Sequence, residues 1–285
     1  MPDTSRSNVR QRSNPEFDDP SVARARFMVV LSYNGSAFFG WQIQPNQPSV
    51  QETLENALQI ALKVPLHVVG AGRTDTGVNA RTMTAHFDLP ATRASQILEP
   101  QAVEKLKYTL NAILKPSITI HHVFPVENDV HARFDAKSRT YRYYLHTVPD
   151  PFRSDSSRYF PRSLDFDKMN REAESLIGTH DFTSFSKLHT DTTNNFCTVR
   201  SARWVAYGPN HYYFEITANR FLRNMVRAVV GTLLDVGIGK YEEGHIAQVM
   251  SACDRCSAGV SVPGYALYLW DIEYDFPLPK NPLPN

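Results

Sequence analysis

Cysteine is scarce in this chain: Cys197, Cys253 and Cys256 are the only three among 285 residues. An odd count in a chain this long points to reduced thiols in the cytosol rather than a disulfide framework. Cys253 and Cys256 have half the spacing of a zinc site, but no second Cys pair or closely spaced His pair completes it, so no metal is expected. Long apolar runs are missing as well. Nothing approaches the ~20 apolar residues of a membrane span, and positions 1–25 hold no apolar stretch of the kind a signal peptide needs. Those positions mix Ser, Asn, Pro and both charges, and are expected to form a disordered tail on a cytoplasmic protein. Arg6, Arg10 and Arg12 give the tail a weak capacity for RNA, which Asp18 and Asp19 oppose. Excess charge of one sign is the third absence: 30 Lys and Arg against 29 Asp and Glu leave a net charge of +1. That argues against binding nucleic acid through bulk charge and leaves room only for a local basic face.

What is present is a globular composition, 42% hydrophobic and 21% charged, over a length that suits one large or two medium domains. The basic residues are bunched. Arg133, Lys137, Arg139 and Arg142 fall within ten residues, and so do Arg220, Arg223 and Arg227. Such runs are most often solvated faces. These also carry Phe134, Tyr141, Tyr143 and Phe221, and aromatics among cations suit bases and phosphates together.

Periodicity predicts the same order of elements twice. The first half reads as a strand over 27–34, a helix capped by Ser49, strands over 66–73 and 82–89, a helix over 103–114 that stops before Pro116, and a strand over 118–124. The second reads as a strand over 139–146, a helix over 166–177, strands over 198–207 and 211–218, helices over 222–236 and 242–252, and a strand over 265–274. The first is a β-α-β-β-α-β set and the second repeats it with one extra helix, so the expected fold is α+β with two ferredoxin-like domains, 26–130 and 131–285. Helices on one sheet face would leave the other free as a platform for RNA.

One stretch stands out chemically: Gly70-Ala71-Gly72-Arg73-Thr74-Asp75-Thr76-Gly77-Val78-Asn79-Ala80. Its glycines let the backbone approach a ligand closely, and a short apolar run leads into it. A carboxylate on such a turn is a candidate nucleophile or general base. The plainer reading is a tight turn in which Asp75 caps its own backbone. His86, His131 and His146 have no clear Ser or Cys partner and are read as structural.

The same stretch resembles the catalytic motif of the TruA-type tRNA pseudouridine synthases. Three further segments are similar to that family and follow in its order: Tyr33 to Gln42, Phe134 to Tyr143, and Ala218 to Arg227. The likeness runs from about Arg26 to Phe276. It implies a cofactor-free isomerase that converts uridine to pseudouridine at tRNA positions 38 to 40 in the anticodon arm. It also implies a homodimer gripping tRNA, a continuous antiparallel sheet, and a catalytic cleft between the two domains.

By this resemblance Asp75 carries the chemistry and Arg227 is its basic partner. Helical spacing puts Arg227 near the border of the buried face of its helix, where a surface position is the alternative. Alternation places Arg139, Tyr141, Tyr143 and Leu145 on one face of a strand, where the alternative for both tyrosines is a core position with the hydroxyl at the rim; the resemblance selects Tyr141 as the ring that stacks on uracil and takes the C5 proton. Arg73 is implied to displace the target base, simple phosphate contact being the alternative. Arg139, Arg220 and Arg223 are the further substrate-binding candidates. Phe38, Phe39 and Trp41 are read as an RNA-contact loop or as core, and Asp181 to Phe185 as structural support. Asn79 stands where the family generally has histidine, and the segments 187–196 and 260–264 depart from its pattern. A non-catalytic tRNA-binding or chaperone module of the same fold is the first rival. A carboxylate-dependent hydrolase is the second, and it would need Asp88 as a second acid near Asp75.

Overall fold

The computed structural model describes residues 22–187 and 194–283. Most of the expected N-terminal tail and the middle of the polar stretch at 187–196 lie outside those residues. The first half comprises β1 (Arg24–Tyr33), α1 (Val50–Leu62), β2 (Val68–Gly70), β3 (Asn79–Pro90), α2 (Pro100–Leu114) and β4 (Ile118–Val126). The second comprises β5 (Ser138–His146), β6 (Arg158–Tyr159), α3 (Phe166–Glu174), β7 (Gly178–Asp181), β8 (Phe196–Gly208), β9 (His211–Ala218), α4 (Met225–Gly237), α5 (His245–Ala252) and β10 (Leu267–Glu273).

All ten strands join one mostly antiparallel sheet, ordered β4-β1-β3-β10-β5-β9-β8-β7, with β2 beside β3 and β6 beside β5. The first strand of each half lies beside its last, giving β4-β1-β3-β2 and, with β6 and the edge strand β7 left aside, β10-β5-β9-β8. Two apolar cores sit under the helices. Phe27, Val29 and Leu31 of β1 pack with Leu54 and Leu58 of α1 and Leu106 and Leu110 of α2. Tyr143 and Leu145 of β5 pack with Phe214, Ile216 and the α4 residues Val229, Val230 and Leu233. Burying each such side chain contributes about 1.5–3 kcal/mol, which is why the alternating strands hold their register.

Several boundaries differ from the periodic reading, each for a local reason. β1 opens at Arg24, inside the expected tail. β2 is cut to three residues because the chain leaves the sheet at Ala71. α4 starts at Met225 rather than 222: Asn224 is left-handed at φ 68°, and Met225 N–H closes a turn on the Leu222 carbonyl. α5 starts at His245, after a left-handed Gly244. The expected cap of α1 is present, with Ser49 Oγ accepting from Glu52 N–H at 3.2 Å.

The two halves meet where β10 pairs with β3, through Tyr268 opposite Asn79 and Leu269 opposite Ala80. Further along, Ala85 to Phe87 of β3 pair instead with β2. The connection 71–78 leaves β2 and enters β3 at this seam, so it sits where residues from both halves reach it. β10 supplies Leu269 and Ile272 to the first core and Leu267 to the second. The end of the chain thus returns across the boundary expected near 130.

The opposite sheet face in the second half carries Tyr144, Tyr207, Tyr213, Tyr268 and Trp270, all strand residues, in ring contact. Arg142 lies 4.4 Å from the Tyr213 ring and 4.0 Å from the Trp270 ring, and pairs with Glu215 at 2.7 Å.

Candidate active site

The loop bearing Asp75 is held from beneath by the Tyr33 to Gln42 segment. Trp41 N–H donates to the Thr74 carbonyl at 3.1 Å, and Gly77 N–H to the Phe38 carbonyl at 3.3 Å. The buried Tyr33 hydroxyl meets Thr74 Oγ1 at 2.9 Å. Gly40 is left-handed at φ 100°, and a Cβ there would overlap the Thr74 carbonyl, so only glycine lets the two backbones come this close. Phe38 and Trp41 are buried in the first core, while Phe39 is exposed. Asn79, in place of the family's histidine, accepts from Gly35 N–H at 2.8 Å and donates to the Tyr265 carbonyl at 2.7 Å. One amide thereby ties the end of the loop to both halves. Sequence reading missed this bracing. The signal was the pair of glycines around Phe38 and Phe39, which a close backbone approach requires.

Asp75 and Arg227, 152 positions apart, form an ion pair: Arg227 Nη1 donates to Asp75 Oδ2 at 3.2 Å, with each side chain 24% exposed. Arg227 is aimed from its other end, since Nε donates to the Val262 carbonyl at 2.7 Å and Val262 N–H returns a bond to the Arg227 carbonyl at 3.1 Å. The segment that brings Val262 there lies against α4 because position 231 is glycine; a Cβ would overlap the Val260 carbonyl. The second oxygen of the Asp75 carboxylate takes no hydrogen bond among the described residues.

Tyr141 is half-buried and bridges the two cores. Its ring meets Phe221 edge-on at 5.0 Å. Burial first, and the Asp75 carboxylate second, push its hydroxyl above the usual phenol range. The phenol therefore stays neutral near pH 7, where it offers a ring face and a donor rather than a resting phenolate. Tyr143 is fully buried in the second core. All three expected catalytic side chains lie on the helix-bearing face at the seam, not on the helix-free face that the element pattern offered to RNA.

The expected substrate-binding arginines divide. Arg73 is exposed two residues from Asp75 and makes no hydrogen bond or ion pair among the described residues. Arg223 is exposed on the turn before α4, and the half-buried Arg220 reaches Asn194 Oδ1 at 3.5 Å. Arg139 is different, with both terminal nitrogens held by backbone carbonyls of Ala71, Arg133, Ala136 and Asn219. Burial pulls its pKa below the ordinary arginine value. The geometry gives it an internal role.

Asp88 is held bidentate by Arg26 at 2.7 and 2.8 Å, at the far end of β3 from Asp75, so it is no second acid. Phe182 and Phe185 are fully buried in the second core. His86 Nδ1 accepts from Ala132 N–H at 3.1 Å, and His146 Nδ1 lies 2.9 Å from a buried Ser157 Oγ. No group of His, Cys, Asp and Glu that would hold a metal ion occurs among the described residues.

Residues 173–275 match the family described as tRNA pseudouridine synthase. Proteins called tRNA pseudouridine synthase A in Parabacteroides distasonis, Porphyromonas gingivalis and Bacillus subtilis are 47%, 48% and 37% identical to this chain. The alignments cover 87%, 88% and 88% of it and 96%, 97% and 99% of those relatives.

Proposed function

The chain belongs to the tRNA pseudouridine synthase A family, and from that premise we propose that it isomerises uridine at positions 38 to 40 in the anticodon arm through Asp75. The reaction breaks the N1–C1′ bond, turns the base and forms the C5–C1′ bond; C5 loses a proton and N1 ends with one. Atoms and electrons balance without a redox partner. The carrying observation is the Asp75–Arg227 pair at the seam, with Tyr141 beside it.

In this reading Arg227 aims the Asp75 carboxylate through the hydrogen bond at 3.2 Å. Asp75 then works at the ribose, by attack at C1′ or by removing a sugar proton. The Tyr141 ring stacks on uracil, a contact worth about 1–3 kcal/mol. Arg73, exposed beside Asp75, helps displace the base from its stack at a cost of a few kcal/mol. Arg220 and Arg223 contact the tRNA backbone. We read the two halves, joined near 130, as ferredoxin-like domains, a reading supported by their shared strand order. The homodimer rests on the family resemblance and a cytoplasmic location on the odd, small cysteine count; no helix among the described residues is long and apolar enough to cross a membrane.

The test is tritium release from tRNA labelled at uridine C5, comparing wild type with Asp75→Asn. Release that requires Asp75 is expected. No release from wild type, with tRNA still bound in a gel shift, would leave a non-catalytic binder.

A further inference from the structure

Arg139 Nη1 donates to the carbonyls of Ala136 at 2.7 Å and Asn219 at 2.8 Å, and Nη2 to those of Ala71 at 3.0 Å and Arg133 at 2.6 Å. Each η nitrogen carries two hydrogens, so these bonds use all four. The acceptors come from three separate segments. Ala71 opens the loop that carries Asp75. Arg133 and Ala136 belong to the link between β4 and β5. Asn219 follows β9 and begins the turn into α4, which carries Arg227. No carboxylate pairs with Arg139 among the described residues, so its charge serves only to strengthen bonds to neutral carbonyls.

We propose that Arg139 is a positioning residue, a four-point brace that fixes the Asp75 loop against the turn leading to Arg227 and so holds Asp75, Tyr141 and Arg227 in register. This rests on the synthase reading above. A lysine cannot replace it, because one ammonium presents its donors at a single point while the planar guanidinium spreads them over a fork. The brace and a phosphate contact make opposite forecasts. A phosphate contact adds to tRNA affinity and its salt dependence, whereas a brace acts on the chemical step.

The experiment measures Arg139→Lys and Arg139→Ala for single-turnover rate at saturating tRNA, for tRNA Kd across a salt series, and for melting temperature. The expected result for Arg139→Lys is a rate lower by on the order of 10- to 100-fold, as a small misplacement of reacting groups produces. Its Kd should stay within about twofold of wild type, with the same slope of log Kd against log salt. Millimolar guanidinium should restore part of the rate to Arg139→Ala. A salt slope shallower by about 0.7–0.9, with an unchanged saturated rate, would overturn the brace in favour of a phosphate contact. If Arg139→Ala does not fold, Arg139→Lys decides alone, and a wild-type rate in it overturns the proposal. Hydrogen exchange at the amides of 71–78 should be faster in Arg139→Lys than in wild type, and unchanged exchange would contradict the brace. That readout needs no turnover, so a wild type inert on every tRNA would fail the synthase reading without deciding this one.

Discussion

Arg227 and Arg139 both reach the loop between β2 and β3, one from a helix and the other from a strand, and they end on different chemical groups. Arg227 meets the Asp75 carboxylate at 3.2 Å and is steered by a single carbonyl at its Nε. Arg139 meets only carbonyls, on three segments. Both lie in basic bunches that sequence would assign to RNA. The difference is one of donor counting: an arginine whose terminal hydrogens are all taken by backbone has none left for phosphate. Arg73, whose side chain is exposed, is the contrasting case of a cation still available to substrate.

Substitution at the carboxylate end should have the largest effect. Asp75→Asn is expected to lower single-turnover pseudouridine formation at least ~10³-fold, with tRNA affinity and circular dichroism unchanged. Loss of folding together with activity would make Asp75 a structural turn residue. Arg227→Ala comes next. The pair is only partly exposed, so its loss should cost about 1–3 kcal/mol, less than the ~3–5 kcal/mol of a fully buried pair, together with a clear fall in rate. Unchanged melting temperature and rate would break the pairing half of the comparison.

The loop's tether from below should matter less. Tyr33→Phe removes the bond to Thr74 Oγ1, worth about 1 kcal/mol, and should lower the melting temperature by a few degrees with a small loss of rate. A loss of rate as large as that of Arg227→Ala would move the main support of the loop from the arginines to Tyr33.

A further effect falls on the Arg139 side and is read by pH. Burial pulls His86 down to about 4 from an ordinary 6.5, and Arg26 adds to the shift. Its Nδ1 accepts from Ala132, next to the Arg133 carbonyl that Arg139 holds. Between those two values the unfolded chain binds the proton and the folded chain does not. Stability is therefore full above about 6.5 and is lost as pH falls towards about 4. His121, also pulled down to about 4, contributes in the same window. Melting temperature at pH 7 and pH 5 should show the fall, and His86→Gln should flatten it in part. A flat profile in the wild type would contradict a neutral His86.

Element types were legible wherever a local rule governs. Ser49 reads as a helix cap, and the alternation on β5 places Tyr143 and Leu145 inward, because capping and period-2 burial depend on neighbours in sequence. The start of α4 was not legible: Asn224 is left-handed, and the turn after β9 closes on Leu222 before the helix begins. The fate of Arg139 was beyond local reading, since its acceptors lie 3, 6, 68 and 80 positions away. Resemblance brought Asp75 and Arg227 together across 152 positions, whereas neither spacing nor composition carries that distance. The Tyr33 to Gln42 segment offered aromatics and glycines; the glycines held the information, as sites of close backbone approach.

The measurement closest to the central claim is position-by-position mapping of pseudouridine in a tRNA transcript after reaction with wild type, Asp75→Asn and Arg139→Lys. The account predicts pseudouridine confined to the anticodon arm at positions 38 to 40 with wild type, none with Asp75→Asn, and the same positions formed more slowly with Arg139→Lys. Full modification by Asp75→Asn would contradict it.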